Sequence, residues 1–234
     1  MEISYYLVEY TEDGKVMSKL NVLYEDNHII VAEKPINVLS QGDATGDKDL
    51  LTMVKEYVKV KYNKPGNVYI GLVHRLDRPV GGVMVFARSS KAAARLNKEI
   101  QEHKMKKKYM AVVHGNIMDK GTFKDKLEKL ENGNTVLSWD GKDAELSFEK
   151  LAYDEKSNTS LVSIDLKTGR HHQIRVQFAS RGYSLCGDQR YGRVDHTQLA
   201  LFAYKLEFTH PVSKELMSFE VKPPCEGYWK NFSV

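Results

Sequence analysis

From Gly115 to the C-terminus the apolar residues come in strand-length runs, and that pattern narrows the fold more than any other. Residues 148–153, 161–166, 199–208 and 217–221 are rich enough in β-branched and aromatic side chains to form strands. Turn residues separate the runs, as in Glu131-Asn132-Gly133-Asn134. A short helix over 171–181 interrupts them, with Gly182 placed to stop it. Before Gly115, residues 22–24 and 29–32 read as a strand pair about the turn Glu25-Asp26-Asn27. Residues 69–73, 82–87 and 109–113 read as further strands. Only two stripes have helical spacing. Leu50, Leu51, Val54, Tyr57 and Val58 form one, stopped near Asn63 by Pro65-Gly66. Ala92, Leu96 and Ile100 form the other, behind a Ser89 or Ser90 cap, with Lys91, Arg95, Lys98 and Glu102 on the wet side. Many strands, few helices and hairpins in the second half predict an α+β fold. Its sheet is mixed and largely antiparallel with flanking helices, and it is not doubly wound.

The chain has 234 residues, enough for a sizeable core. No Pro/Gly/Ser-rich linker divides it. The expected organisation is a single domain over 21–234, in two halves about a cleft, with 1–20 as a short N-terminal extension. The apolar runs fall far short of the ~20 residues of a membrane helix. The first ten residues lack the basic-then-apolar order of a secretory signal. Two cysteines, Cys186 and Cys225, make no disulfide framework. Neither Cys-x-x-Cys nor His-Glu-x-x-His spacing occurs, so no zinc site is expected. A reduced, cytoplasmic compartment is the default, and with no dimer seam evident, so is a monomer.

The net charge is only +4, but it is unevenly placed. From Arg75 to Lys108 there are ten Lys/Arg and three Asp/Glu. From Asp165 to Arg193 there are six and two. The remainder is acidic. Such concentration fits phosphate contact. It fits a solvated helix face as well, since helix faces often carry lysine.

Within the first basic segment lies HRLDRPVGG. A strand run delivers Asp77 into a turn, between Arg75 and Arg78. Neighbouring cations favour the ionised carboxylate. Pro79 stiffens the turn, while Gly81 and Gly82 permit unusual backbone angles. A rigidly held carboxylate suits nucleophilic chemistry. Taken alone, an Arg-x-Asp-Arg cluster is more often a structural ion-pair turn.

The second segment carries LKTGRHHQIRVQF. Arg170, His171, His172, Gln173 and Arg175 gather at a helix start, which suits an anion and equally suits a capped, solvated helix end. The tandem histidines have no third ligand at sensible spacing, so metal is not expected. Tyr109 follows the lysine run at Lys106-Lys107-Lys108. A tyrosine within a strand is usually core, but beside a basic groove it could stack on an exposed base.

In order along the chain come Lys34-Pro35, HRLD with its Gly-rich turn, a basic helix, KKYMAVVHG, KTGRHHQIRVQFA, GDQRYG and FTHPVSKELMSFEVKPP. This series resembles the RluA-type family of RNA pseudouridine synthases, from about Val22 to Pro224. The resemblance implies the pseudouridine synthase fold with a central basic cleft. It implies an isomerase that converts uridine to pseudouridine in structured ribosomal or transfer RNA, using no metal or organic cofactor. It makes Asp77 the catalytic carboxylate and Tyr109 the tyrosine that stacks on the target base. Arg175 would pair with Asp77 and hold it ionised. Arg75 would enter the RNA stack in place of the flipped nucleotide. Arg78, Arg170, Lys107, Lys108 and Lys34 are the further RNA contacts expected.

The chain departs from the family pattern at two points. Relatives often carry Thr-Ser-Gly or Thr-Thr-Gly where Val80-Gly81-Gly82 stands here. Leu201-Phe202-Ala203 replaces Leu-His-Ala. Two rival readings belong to other classes. One is an RNA-binding or chaperone module of the same fold without turnover. The other is a hydrolase pairing Asp77 with a second acid, for which only Asp188 stands within the basic motifs.

Overall fold

Local capping sets most element boundaries. In the computed structural model, residues 20–232 are described, together with the short strands β1 (Tyr6–Leu7), β2 (Thr11–Glu12) and β3 (Lys15–Val16). Most of the expected N-terminal extension therefore lies outside the described residues. β4 (Asn21–Glu25) and β5 (Ile29–Lys34) form the expected hairpin. Asp26 closes its turn by accepting from the N–H groups of His28 and Ile29 at 2.7 and 2.8 Å. Helix α1 (Leu50–Lys61) begins where Asp49 accepts from the Thr52 N–H, and α2 (Ser90–Gln101) where Ser89 accepts from the Ala92 N–H. Helix α2 buries Ala92 and Leu96 as its stripe requires, but adds Glu99, whose carboxylate accepts from the Thr209 N–H at 2.7 Å.

The chain divides into two compact units, Met1–Met105 with Leu206–Val221, and Lys106–Lys205 with Lys222–Val234. In the first, β1, β4, β5 and β7 (Gly81–Ala87) lie side by side and antiparallel. β2 and β3 pair separately, and β6 (Gly71–Leu72) pairs with β7. The strand expected over 69–73 shrinks to these two residues. The reason lies at His74, whose Nε2 accepts the Val85 N–H at 3.1 Å and so replaces a ladder carbonyl. Ile29, Val31, Val83, Val85, Leu96, Leu206 and Phe208 form this unit's core.

In the second unit β8 (Lys106–His114), β12 (Thr159–Leu166), β11 (Lys142–Asp154), β9 (Lys120–Lys129) and β10 (Thr135–Leu137) form an antiparallel series in that order. β9 and β10 had no clear apolar signal, because Phe123 and Leu127 are the only buried residues of β9. Helix α3 is shorter than expected, Gln173–Ala179, because His172 takes a left-handed φ of 51° and cannot join it. Gly182 follows at φ 82°, the expected stop. β13 (Leu201–Thr209) contributes residues 201–205 to the second unit and 206–209 to the first. β14 (Leu216–Glu220) pairs with β13, and a 3-10 turn, Gly227–Asn231, lies near the C-terminus. The class is α+β and mostly antiparallel, as the sequence predicts. Among the described residues no helix is long and apolar enough to cross a membrane.

Candidate active site residues

In the first unit the backbone around Asp77 is fixed on both sides. Ser40 is buried, and its hydroxyl both donates to the Leu76 carbonyl (2.7 Å) and accepts from the Leu76 N–H (3.0 Å). The Asp77 carbonyl accepts from the Val80 N–H at 3.0 Å, closing the turn. The Arg78 carbonyl accepts from Lys34 Nζ at 3.0 Å. Lys34 is fully buried and also donates to the carbonyls of Pro35 (3.0 Å) and Val38. Residues 76, 77 and 78 are thus each tied through their backbone, while the Asp77 side chain stays half-buried. Gly82, opposite Lys34 on β5, has φ 129°, a conformation that favours glycine.

The charges around this turn differ from the sequence expectation. Arg78 turns its guanidinium to Asp47, 2.7 Å away, and Arg75 is exposed. Within this unit the charge of Lys34 couples to Asp77. Burial pushes the Lys34 ammonium down to about 7, against the pull of the Asp77 carboxylate and with the push of Arg78. Three carbonyls match the three N–H bonds of the charged form. Lys34, expected at the RNA, instead lies inside the protein.

The second unit assembles Tyr109 and Arg175 on one sheet face. Tyr109 lies opposite Ile164, and Ile164 opposite Phe148. Directly opposed residues share a face. Phe178 of α3 packs on Phe148 and Phe123, with ring centroids 5.4 and 5.1 Å apart. Helix α3 therefore covers the face that carries Tyr109, which is itself buried. Arg175 projects from this helix and grips Asp188 with two bonds, Nε to Oδ2 at 2.8 Å and Nη2 to Oδ1 at 2.7 Å. Both partners are buried. Burial would raise the Asp188 carboxyl, but Arg175 and the N–H groups of Tyr191 and Arg190 hold it below the usual carboxylate range. It stays ionised, so it is no proton donor, and both its oxygens are taken up by Arg175.

The loop before α3 is fastened in the same way. Gln173 Oε1 accepts from Thr168 Oγ1 (2.8 Å) and the Arg170 N–H (3.0 Å), while Gln173 Nε2 donates to the Glu145 carbonyl (3.2 Å). Arg170 is exposed, and its Nε donates to the Asp143 carbonyl at 2.9 Å. His171 and His172 stack at 3.7 Å and turn their Nδ1 atoms to Thr135 Oγ1 (2.9 Å) and Tyr191 Oη (2.8 Å). Among the described residues no cluster of three His, Cys, Asp or Glu could hold a metal. Burial pushes the Cys186 thiol up to about 12, so it is no nucleophile. Sequence reasoning missed Ser40, which sits in no charged motif and acts on a residue 36 positions away.

Comparison with known proteins gives one family. The family described as RNA pseudouridylate synthase matches residues 28–180. The ribosomal large subunit pseudouridine synthase C of Buchnera aphidicola subsp. Schizaphis graminum is similar, 33% identical over 91% of this chain and 69% of its own. An uncharacterized RNA pseudouridine synthase of Bacillus subtilis is 32% identical over 89% of this chain and 70% of its own. Among solved structures, human RNA pseudouridylate synthase domain containing 4 shares the fold, with TM-score 0.72 at 20% identity, covering 87% of this chain and 88% of that one.

Proposed function

The chain belongs to the RluA-type RNA pseudouridine synthases, isomerases that convert uridine in RNA to pseudouridine, and from this premise we propose that Asp77 is its catalytic carboxylate. The observation that carries the proposal is the three-point fixing of the turn: Ser40 on Leu76, Val80 on Asp77 and Lys34 on Arg78. A reacting carboxylate must be held within a fraction of an ångström, and rate is lost when it wanders. Lys34 supplies buried positive charge to the same turn, a positioning role in place of the RNA contact first expected.

In this reading Tyr109 stacks on the target base once it has left the helix, at a cost of a few kcal/mol to the RNA. Arg75, exposed beside Asp77, takes the place of the extruded nucleotide. Arg175 acts through its buried position on α3. Lys108, Arg78 and Arg170 meet phosphates, the last two by exchanging the protein oxygens they now hold. The substrate we propose is ribosomal RNA, in keeping with the names of the relatives, with transfer RNA as the alternative to be scored.

The test maps pseudouridine by chemical labelling and primer extension across total RNA from cells with and without the gene. Purified wild type should restore the missing sites to RNA from the deleted strain. Asp77→Asn should restore none while still binding that RNA. Turnover by the Asn variant would remove Asp77 from the catalytic role. Binding without turnover by the wild type would favour a chaperone module.

A further inference from the structure

Beside Tyr109 lies an ammonium with no counter-ion among the described residues. Lys107 and Tyr109 are two residues apart on β8, so their side chains share a face at a spacing of about 7 Å. Lys107 lies opposite Leu166, the last residue of β12, and the chain then turns through Lys167-Thr168-Gly169. A Cβ placed on Gly169 would stand 3.2 Å from Lys107 Nζ. The ammonium therefore rests in the space left by the missing side chain. Burial pushes its pKa down, and no neighbouring carboxylate counters that push. Among the described residues no hydrogen bond or ion pair engages it. Glu145 is occupied by Lys167 at 3.0 Å and Lys124 at 3.7 Å, and Asp165 lies on the other face, opposite Lys108.

A partly desolvated charge without a partner is costly. It is useful only if the partner comes from outside. We propose that Lys107, seated against Gly169 on the strand face of Tyr109, binds a backbone phosphodiester of the RNA substrate adjacent to the target uridine. The proposal rests on the reading of Tyr109 as the residue that meets the target base, and it adds the anion site that would hold that nucleotide's backbone. Gly169 belongs to the site by having no side chain.

The test compares wild type, Lys107→Met, Lys107→Arg and Gly169→Ala in RNA binding across a salt series, in steady-state pseudouridine formation and in thermal unfolding. Lys107→Met should weaken RNA binding about tenfold. It should also lower the slope of log affinity against log salt by about 0.7, the value for one phosphate of a single strand. The fall in kcat/KM should be carried by KM. Its melting temperature should equal or exceed the wild-type value, because an unpaired buried charge has been removed. Lys107→Arg should keep the salt slope, and Gly169→Ala should weaken binding with Lys107 still present. An unchanged salt slope in Lys107→Met, or a loss carried by kcat, would overturn the phosphate assignment. A lower melting temperature would mark Lys107 as structural and overturn it too. Wild type that forms no pseudouridine, while Lys107→Met still lowers the slope, would sink the catalytic reading and leave the anion site standing.

Discussion

At Lys34 one side chain holds three backbone carbonyls. Lys34→Met keeps the bulk and removes the donors, so those buried oxygens lose their partner. The expected loss is about 3–5 kcal/mol in denaturant unfolding, the range for breaking a buried charged interaction. Its pH dependence has a definite sign. The buried ammonium is pushed down to about 7, while an unfolded lysine keeps its ordinary value of 10.5. Between those values the unfolded chain binds the proton more tightly. This group's contribution to stability therefore rises as pH rises from 7 towards 10.5. The rise should be absent from unfolding curves of Lys34→Met. Ser40→Ala should cost on the order of 1–3 kcal/mol by stranding both polar groups of Leu76. The sequence made Lys34 and Asp77 legible as motif members but not as a coupled pair. Burial is what turns a lysine from an RNA contact into a strut, and a motif does not state burial.

Helix α3 has seven residues and no side-chain cap, so it does not stand by its own hydrogen bonds. Phe178 anchors it to Phe123 and Phe148. Phe178→Ala should cost about 3–5 kcal/mol and lower kcat/KM as Arg175 loses its seat, with Phe178→Leu milder on both counts. The turn before the helix responds to acid. Burial, then the charges of Arg175, His171 and Arg190, pushes His172 down to about 3, with Asp188 pulling the other way. As pH falls from 6.5 towards 3, the unfolded chain takes up a proton that the folded chain refuses, and stability falls. His172→Asn tolerates the left-handed backbone and should flatten that acid limb in pH-resolved unfolding. Helices α1 and α2 were readable because their apolar stripes repeat over several turns. β9 was not, because its neighbours in the sheet, rather than its own composition, define it as a strand. The first turn of the expected helix was lost to His172, whose backbone angle has no sequence signal in a histidine.

Over the whole molecule, the basic segments serve the protein first. Arg175 holds Asp188, Arg181 holds Asp125, Lys167 holds Glu145, and Arg78 holds Asp47. Arg88 donates to the Asp26 carbonyl and lies over the Tyr62 ring at 4.7 Å. Among the described residues, no hydrogen bond or ion pair engages the side chains of Arg75, Lys91, Lys107, Lys108 or Arg193. If these five cations, with Arg78 and Arg170 once they exchange partners, meet single-stranded RNA, the log–log salt slope of binding should be no steeper than about −5. Counting charges along the sequence would have forecast a far steeper one. The α+β class was legible because strand runs and turn residues are local signals. Two halves were expected, but their boundaries were not legible, because residues 206–221 return to the first unit after a hundred residues spent in the second. That return matters during synthesis. Leu206 and Phe208 belong to the core built on Ile29, Val31 and Val85. A nascent chain still lacking those two side chains has its N-terminal strands outside the ribosome with their core incomplete. The second unit waits as well, for residues 222–234, so neither can finish folding until the end of the chain emerges.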